Sequence, residues 1–285
     1  MKVSVVIPAL NEGQVIGSTV ARIRSLYPDY EIVVVDDGST DNTVRSAEEN
    51  GAKVVSHPYN IGNGAAVKTG IRSASGDLVV LMDGDGQHDP EDIPRLLAEA
   101  EKYDLVIGAR TGESQASIGR RLANWCYNKL ASYVANFNIK DLTSGFRVFH
   151  RSIVLKYLSL FPNSFSYPTT STLSFLRSGH TVGFVPIQAH KRVGKSKIKI
   201  IRDGYRFLLI IIRIATLFSP LKIFLPVSLI FFLLGLGYYG YTFITAHRFT
   251  NMSAMLFSMA VMVFLLGMVS EQITQSRYDR VEHFE

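Results

Sequence analysis

Oxygen-bearing side chains cluster in the segment Asp83-Gly84-Asp85-Gly86-Gln87-His88-Asp89, directly after an apolar run. Two carboxylates two residues apart, in a turn made tight by glycine, can both face one cation. Such donors suit Mg²⁺ or Mn²⁺ and leave coordination positions open for phosphate oxygens. An EF-hand calcium loop is excluded because Pro94 stands where that loop needs glutamate. The pattern predicts a divalent cation at Asp83 and Asp85, the alternative being a solvated acidic turn.

Other polar clusters follow β-rich apolar runs in the same way, namely Asn11-Glu12, Asp36-Asp37 and Arg110. Predicted strands at 3–7, 31–35, 52–56, 77–82 and 105–108 alternate with predicted helices at 12–26, 40–50, 64–74 and 90–103. This alternation indicates the α/β class, with right-handed crossovers and a mostly parallel sheet. Ligands of such sheets bind at the carboxyl ends of the strands, so we expect the polar clusters to meet in one site.

The segment Gly62-Asn63-Gly64-Ala65-Ala66-Val67 partly matches a dinucleotide-binding fingerprint, with Asp83 about 20 residues further on. A loop rather than a strand precedes it, and Val67 takes the place of the third small residue. Two interpretations stay open. The backbone amides lie near a nucleotide or sugar with Lys68 in support, or the segment is an ordinary helix N-terminus after a turn.

The composition changes near residue 205, where long apolar segments replace the alternating pattern. Two of them, at about 221–244 and 252–269, approach the roughly 20 residues that cross a bilayer. A buried soluble helix pair is the alternative, but these runs lack a polar face. The link between them has one firm positive charge, and the opposite flanks hold Arg213, Lys222, Arg277 and Arg280. The positive-inside rule then predicts the N-terminal domain and both chain ends in the cytosol.

Two further segments combine basic and apolar residues. The segment 195–218 begins basic and turns apolar, which is typical of a helix lying on an anionic membrane surface. The segment 118–137 is either a second interfacial helix or an ordinary amphipathic core helix. The net charge is +6, and much of it lies beside apolar segments. A membrane or a phosphorylated substrate is therefore favoured over nucleic acid, and the single Cys126 excludes an internal disulfide.

Together the motifs resemble family 2 glycosyltransferases, in the branch of dolichol-phosphate mannose synthases and polyprenyl-phosphate glycosyltransferases. The resemblance covers residue 1 to about residue 200, and the apolar pair is similar to the two-span members. The motifs that carry it are Pro8 to Glu12, Val35 to Asp41, Asn60 to Gly70, Asp83 to Gln87, Asp141 to Arg147, and Arg192 with Gly194 to Lys197. It implies a GT-A (Rossmann-like) catalytic domain over 1–194, an interfacial helix over 195–218, a transmembrane hairpin over 219–275 and a cytosolic tail over 276–285.

The resemblance also implies residue roles. The nucleotide-sugar donor would contact Pro8, Ala9, Asn11, Glu12, Asp36, Asp37, Gly64, Lys68, Asp83, Gly84 and Arg110. The cation would be held by Asp83, Asp85 and Gln87, and the acceptor phosphate by Arg120, Asn124, Ser144, Arg147, Arg192 and Lys195. Asp85, Arg110 and Arg147 would act in the transfer itself. Asn124 departs from the family's usual Ser and Asn63 from a common basic residue, and Arg147 could instead pair structurally with Asp141.

The implied activity is inverting transfer of a hexose from a donor of the GDP-mannose or UDP-glucose type to dolichyl or undecaprenyl phosphate. The attacking phosphate oxygen is already anionic, so no general base is required. One alternative is a non-catalytic membrane scaffold that binds nucleotide or lipid, against which the intact Asp-x-Asp-x-Gln argues. A polysaccharide synthase is another, but the sequence lacks its Gln-x-x-Arg-Trp motif and additional spans. Gly235 and Gly237 would allow close helix contacts in a homo-oligomer.

Overall fold

The computed structural model describes residues 1–111, 118–163, 167–188, 216 and 218–282, with the backbone alone at 118–124, 126, 277 and 280–282. The chain divides into two compact units. One comprises Met1–Tyr133 with Phe137–Ile198, and the other comprises Val134–Asn136 with Lys199–Glu285. The predicted interfacial segment 195–218 lies almost wholly outside the described residues.

A sheet with helices on its connections forms the first unit. Its strands are β1 (Val3–Ala9), β2 (Glu31–Asp36), β3 (Lys53–Ser56), β4 (Leu78–Leu81), β5 (Leu105–Arg110), β6 (Arg147–His150) and β7 (Val182–Ile187). Its helices are α1 (Ile16–Leu26), α2 (Thr43–Glu49), α3 (Asn63–Ser73), α4 (Ile93–Glu99), α5 (Ile118–Ala135), α6 (Arg151–Tyr157) and α7 (Tyr167–Arg177). Single 3₁₀ turns lie at Pro90–Asp92 and Leu158–Leu160.

The strand order β3-β2-β1-β4-β6-β5-β7 confirms the predicted α/β class and mostly parallel sheet. β1 pairs in parallel with β2 and β4, and β2 with β3. The central strands are buried on both faces, and Val5, Ile7 and Val34 are completely enclosed. Continuous apolar runs are what a parallel sheet covered by helices requires.

β6 is the exception to the parallel arrangement, and the sequence analysis did not predict it. It runs antiparallel between β4 and β5, with Arg147 opposite Leu81 on β4 and opposite Ile107 on β5. The register brings the turn that precedes β6 next to the turn that follows β4. The two turns that carry most of the predicted chemistry therefore meet at one edge of the sheet.

Some boundaries differ from the predicted ones for local reasons. The helix predicted at 90–103 is a 3₁₀ turn starting at Pro90 followed by α4, which ends at Glu99. β5 extends to Arg110 because Ala109 and Arg110 pair with Pro186 and Ile187 of β7. A strand that gains a neighbour from a distant segment continues past the point where its own apolar pattern ends.

The second unit contains two long helices, α8 (Leu221–Ala246) and α9 (Asn251–Glu282). Both are long and apolar enough to cross a membrane, and their side chains are mostly exposed. They contact each other where Ser228 Oγ donates to the Ala260 carbonyl at 2.8 Å, and Gly235 lies against Phe257. Exposed apolar helices favour a bilayer over a soluble helix pair. α9 is longer than the predicted span and continues through most of the predicted tail to Glu282.

The packing of α3 on the sheet yields a first prediction. A Cβ at Gly70 would lie 2.2 Å from Val6 Cγ1 and 3.1 Å from Val35 Cγ2. Gly70→Ala should therefore lower the free energy of unfolding by about 1–3 kcal/mol through overpacking, although alanine favours the helix. Arg72→Ala, an exposed change on the same helix, should stay within about 0.5 kcal/mol of wild type. Denaturant titration in detergent measures both, and equal stability of the two variants would contradict this packing.

Candidate active site

The carboxylate of Asp83 lies against the backbone of Gly145, at the edge where the two turns meet. A Cβ at Gly145 would be 2.5 Å from Asp83 Oδ2 and 2.6 Å from Oδ1, so a side chain at that position would collide with the carboxylate. The Asp83 side chain is 33% exposed. Among the described residues its carboxylate accepts no hydrogen bond, and His88 Nε2 lies 3.8 Å from Asp83 Oδ2. A carboxylate left without donors at a strand end is suited to bind a cation.

The turn that follows Asp83 is closed by its own side chains. Asp85 Oδ1 accepts the backbone N–H of Gln87 at 3.1 Å, and Gly86 has φ +74°, a conformation that favours glycine. His88 Nδ1 accepts the backbone N–H of Asp83 at 3.1 Å. The His88 ring stacks on Phe146, with centroids 5.0 Å apart. His88 stood inside the motif but received no role from the sequence, and here it joins the acidic turn to the turn before β6.

The donor set at this turn fits Mg²⁺ or Mn²⁺. Asp83 and Asp85 supply carboxylates and Gln87 an amide oxygen, all ligands that these hard cations accept. Within the described part of the chain, no group of three or more His, Cys, Asp or Glu side chains is placed to hold a metal. A partial protein shell of this kind is typical of a cation that completes its coordination with phosphate oxygens and water.

Arg110, at the end of β5, is fixed by Asp141. Arg110 Nε donates to Asp141 Oδ2 at 2.8 Å, and Nη2 donates to Oδ1 at 3.1 Å and to Thr143 Oγ1 at 2.6 Å. Burial tends to lower the pKa of Arg110, but the hydrogen bond and charge of Asp141 outweigh it and raise the pKa, with smaller help from Asp83 and Asp85. A permanently charged guanidinium is thereby held near the acidic turn.

Asp141 is a residue that the sequence analysis named only as an alternative structural partner of Arg147. Its carboxylate also accepts the backbone N–H groups of Thr143 and Ser144. Burial opposes its ionisation, yet Arg110 and these donors hold the pKa of Asp141 below its ordinary value. Within the described residues the ion pair of Asp141 is with Arg110, and its negative charge acts on Arg147 at longer range. Asp141 positions both the guanidinium of Arg110 and the turn at 141–145.

Arg147 lies inside the unit rather than at its surface and is completely buried. It donates to the carbonyls of Ser144 and Leu142 and to the hydroxyls of Ser171 and Thr172, at 2.7–3.1 Å. Burial lowers the pKa of Arg147 to about 10, so it stays charged at neutral pH. This placement favours a positioning role for Arg147 over the direct acceptor contact that the resemblance implies. Ser144 is likewise buried beside it.

Asp36 and Asp37 end β2 and are both about 3% exposed. Asp37 Oδ1 accepts His57 Nδ1 at 2.8 Å and the N–H of Ile61 at 3.0 Å, and Oδ2 accepts the N–H of Gly62 at 2.8 Å. Asp36 accepts the N–H of Ser39 at 3.1 Å. Asp37 therefore folds the loop at 60–62 back onto the strand end, and its predicted contact with the nucleotide stays a prediction.

Three amides of the glycine-containing segment, those of Gly62, Ala65 and Ala66, are used within the protein. The Gly62 N–H goes to Asp37, and the Ala65 N–H goes to the carbonyl of Asn163 at 3.2 Å. Lys68 Nζ donates to the Phe161 carbonyl at 3.2 Å and to the Asn163 side chain. Of the two open interpretations, these contacts favour a helix N-terminus that holds the 161–163 segment, with Gly64 buried at its first turn.

The remaining donor candidates lie at the end of β1. The Pro8 carbonyl approaches Gly84, where an added Cβ would be 3.1 Å away, and Ala9 pairs with Asp36. Asn11 Oδ1 accepts the N–H of Thr40 at 2.9 Å, and the N–H of Glu12 donates to Thr43 Oγ1. Among the acceptor candidates, the side chains of Arg120 and Asn124 and the whole of Arg192 and Lys195 lie outside the described residues.

Replacement of Asp141 measures how much its ion pair with Arg110 contributes to the free energy of unfolding. Asp141→Asn leaves Arg110 without its carboxylate, so we expect the free energy of unfolding at pH 7 to fall by about 3 kcal/mol. A carboxyl whose pKa is lowered in the folded state stabilises above its unfolded pKa, and this contribution disappears as the pH falls. The stability gap between wild type and variant should therefore narrow below about pH 4. A gap that is the same at pH 7 and pH 3 in denaturant titrations would contradict the ion-pair account.

Comparison with known sequences places these features in a family context. Residues 4–158 match the profile described as glycosyl transferase family 2, and residues 219–276 match that of the GtrB C-terminal hairpin. The chain is 33% identical over 166 residues to a dodecaprenyl-phosphate galacturonate synthase of Rhizobium johnstonii, covering 54% of this chain and 49% of the relative. It is 35% identical over 206 residues to an undecaprenyl-phosphate 4-deoxy-4-formamido-L-arabinose transferase of Pseudomonas fluorescens, covering 68% and 59%.

A third relative is matched over more of its own length. The undecaprenyl-phosphate mannosyltransferase of Micrococcus luteus is 30% identical over 214 residues, which cover 70% of this chain and 88% of the relative. The chain thus spans about half to three-fifths of the first two relatives and most of the third. Among solved structures, glucosyl-3-phosphoglycerate synthase of Mycobacterium tuberculosis in complex with Mn²⁺, uridine diphosphate and product is 27% identical. Its TM-score is 0.59, and the match covers 74% of this chain and 79% of that one.

Proposed function

Because this chain belongs to glycosyl transferase family 2, we propose that it transfers a hexose from a nucleotide-sugar to a polyprenyl phosphate with inversion at the anomeric carbon. The observation that carries the proposal is the meeting of Asp83, Asp85 and the fixed Arg110 at the carboxyl edge of the sheet. The three named relatives act on dodecaprenyl or undecaprenyl phosphate, which favours an undecaprenyl-type carrier. The donor is of the GDP-mannose or UDP-glucose type.

In the proposed mechanism the residues of this chain position charges around the leaving group and do not transfer protons. Asp83, Asp85 and Gln87 would hold Mg²⁺ or Mn²⁺, which when bound would neutralise the charge of the diphosphate leaving group. Arg110, held by Asp141, adds a second positive charge where the leaving group departs. The attacking phosphate oxygen of the lipid is anionic at neutral pH, so the reaction needs no general base. Direct in-line attack then inverts the anomeric carbon.

The acceptor side of the proposal depends on basic residues and on the membrane. Arg120, Asn124, Arg192 and Lys195 are proposed to bind the lipid phosphate, while Arg147 keeps the turn at 141–145 in place. The hairpin formed by α8 and α9 anchors the chain in the bilayer that supplies the acceptor. The catalytic unit and both chain ends are proposed to lie in the cytosol.

Support for membrane contact also comes from α5. Trp125 and Tyr133, eight residues apart, are 58% and 54% exposed, and Lys129 lies between them in exposed position. Residues four apart lie on one face of a helix. Aromatic and basic side chains on one exposed face suit the boundary between lipid headgroups and acyl chains, which supports the interfacial alternative for this segment.

The function is tested with the purified full chain, undecaprenyl phosphate and radiolabelled GDP-mannose, UDP-glucose or UDP-galacturonate. We expect label to pass into the organic-extractable lipid with at least one donor, and EDTA to abolish transfer. Asp85→Asn should reduce transfer by about a hundredfold or more, because a charged ligand of the cation is lost, while membrane insertion is unchanged.

Asp89→Asn is the matched control for this substitution. Asp89 lies in the same segment but caps the 3₁₀ turn at Pro90–Asp92 by accepting the N–H of Glu91. Asparagine caps as well as aspartate does, so this variant should keep activity close to wild type. Transfer by Asp85→Asn at the rate of the Asp89→Asn control would reject the cation assignment. No transfer by wild type with any of these donors would favour the non-catalytic scaffold.

A further inference from the structure

Asn128 lies in the interior of α5 and has no role in the mechanism above. Asparagine is a poor helix former, so helix propensity does not explain its place there. Its carboxamide bonds two backbone groups outside the helix. Nδ2 donates to the Lys140 carbonyl at 2.9 Å, and Oδ1 accepts the N–H of Leu142 at 3.1 Å. The side chain thus fastens α5 to the backbone on both sides of Asp141.

Asp141 carries this connection on to Arg110. Its carboxylate accepts the Arg110 backbone N–H at 3.2 Å and the guanidinium at 2.8 and 3.1 Å. Asp141 and Leu142 are both buried, and hydrogen bonds are stronger where little water reaches them. A short path of hydrogen bonds and one backbone segment, 140–142, therefore joins α5 to the end of β5.

The two ends of this path serve different substrates in the proposed mechanism. Positions 120 and 124 precede Asn128 by eight and four residues, a spacing that keeps all three near one face of α5. Arg120 and Asn124 are proposed to bind the lipid phosphate, whereas Arg110 is proposed to lie where the diphosphate departs. In-line attack requires the phosphate oxygen to stand about 3–3.5 Å from the anomeric carbon. The position of α5 relative to Arg110 would therefore set the distance of attack.

We propose that Asn128 is a positioning residue for the transfer step, which holds α5 at a fixed distance from the Asp141–Arg110 pair. The inference rests on the proposed function and adds a residue to it. In this role Asn128 contacts neither substrate. Its loss would leave the groups on α5 and the groups around Arg110 able to bind their own substrates, and would relax only the spacing between them. The rate of sugar transfer should then fall while the affinities for both substrates stay the same.

Tyr127, the preceding residue, supplies a matched control. Its hydroxyl bonds Thr169 Oγ1 on α7 at 2.9 Å, so it also fastens α5 to a neighbouring segment, but through a hydrogen bond that does not involve residues 140–142. Tyr127→Phe and Asn128→Ala each remove side-chain hydrogen bonds of the same helix. The two variants therefore differ in whether the path from α5 to Arg110 is kept.

The test compares rate, affinity and stability in the purified full chain with each substitution. Single-turnover transfer to saturating undecaprenyl phosphate, with the donor that wild type transfers fastest, gives the rate of the chemical step. Steady-state assays give the KM for the lipid. Calorimetry with Mn²⁺ in the absence of lipid gives the affinity for the nucleotide-sugar, and chemical denaturation in detergent gives the midpoint of unfolding.

Asn128→Ala should slow single-turnover transfer about tenfold to a hundredfold, because a displacement of about 1 Å between reacting groups has an effect of this size. Its KM for lipid and its affinity for the nucleotide-sugar should match wild type. Tyr127→Phe should transfer sugar at close to the wild-type rate. Both variants should have a lower denaturation midpoint than wild type, since each leaves a buried polar group without its partner.

Asn128→Asp is the second variant, and it decides the question if Asn128→Ala is unfolded under the assay conditions. Aspartate keeps an acceptor for the N–H of Leu142, but its carboxylate cannot donate to the Lys140 carbonyl. It should therefore also slow single-turnover transfer, again with unchanged affinities for lipid and nucleotide-sugar.

Transfer by the folded Asn128 variants at the wild-type rate would overturn the inference and leave the proposed function intact. A higher KM for lipid or a weaker nucleotide-sugar affinity that accounts for the lost rate would also overturn it, because Asn128 would then act in binding. Equal slowing by Tyr127→Phe would reject it as well, since general loosening of α5 would explain both results. Failure of wild type to transfer sugar would reject the inference together with the proposed function.

Discussion

The close approach of Asp83 to Gly145 is the constraint on which the site depends. It exists because β6 enters the sheet antiparallel to β4, so that the turns at their ends face each other. A parallel strand in this place would carry its preceding turn to the opposite edge of the sheet. His88 strengthens the same junction by bonding the Asp83 backbone and stacking on Phe146. Among the described strands, β6 breaks the parallel pattern and thereby brings the two turns together.

Buried charges on the β6 side of the junction are paired or hydrogen-bonded within the protein, whereas the Asp83 carboxylate accepts no hydrogen bond among the described residues. Asp141 holds Arg110 by a bidentate ion pair. Arg147 instead donates to carbonyls and hydroxyls around it, including Ser171. A buried charge is tolerated only where partners replace its lost hydration. These contacts hold Arg110 and the turn at 141–145 in place, and fixed positive charge of this kind can stabilise a diphosphate leaving group.

Features that depend on a short stretch of residues could be predicted from the sequence. Continuous apolar runs identified β1, β2 and β4, and the Asp-x-Asp turn followed from its position after a buried strand. Features that depend on distant segments were not predictable in this way. The burial of Arg147 was not predictable, because it depends on hydroxyls of Ser171 and Thr172 more than 20 residues later. The helix that supplies them, α7, begins Tyr-Pro-Thr-Thr-Ser-Thr, a run poor in helix-forming residues. The pairing of Asp141 with Arg110 was not predictable for the same reason, because the two residues are 31 positions apart in the sequence.

The central claim is that the carboxylates of Asp83 and Asp85 hold a divalent cation against a nucleoside diphosphate. Anomalous diffraction from crystals of the full chain grown with Mn²⁺ and UDP or GDP tests it most directly. The account predicts a manganese peak within coordinating distance of carboxylate oxygens of both residues and of the diphosphate. A nucleotide bound at this edge of the sheet with no manganese there, or manganese bound only elsewhere, would contradict it.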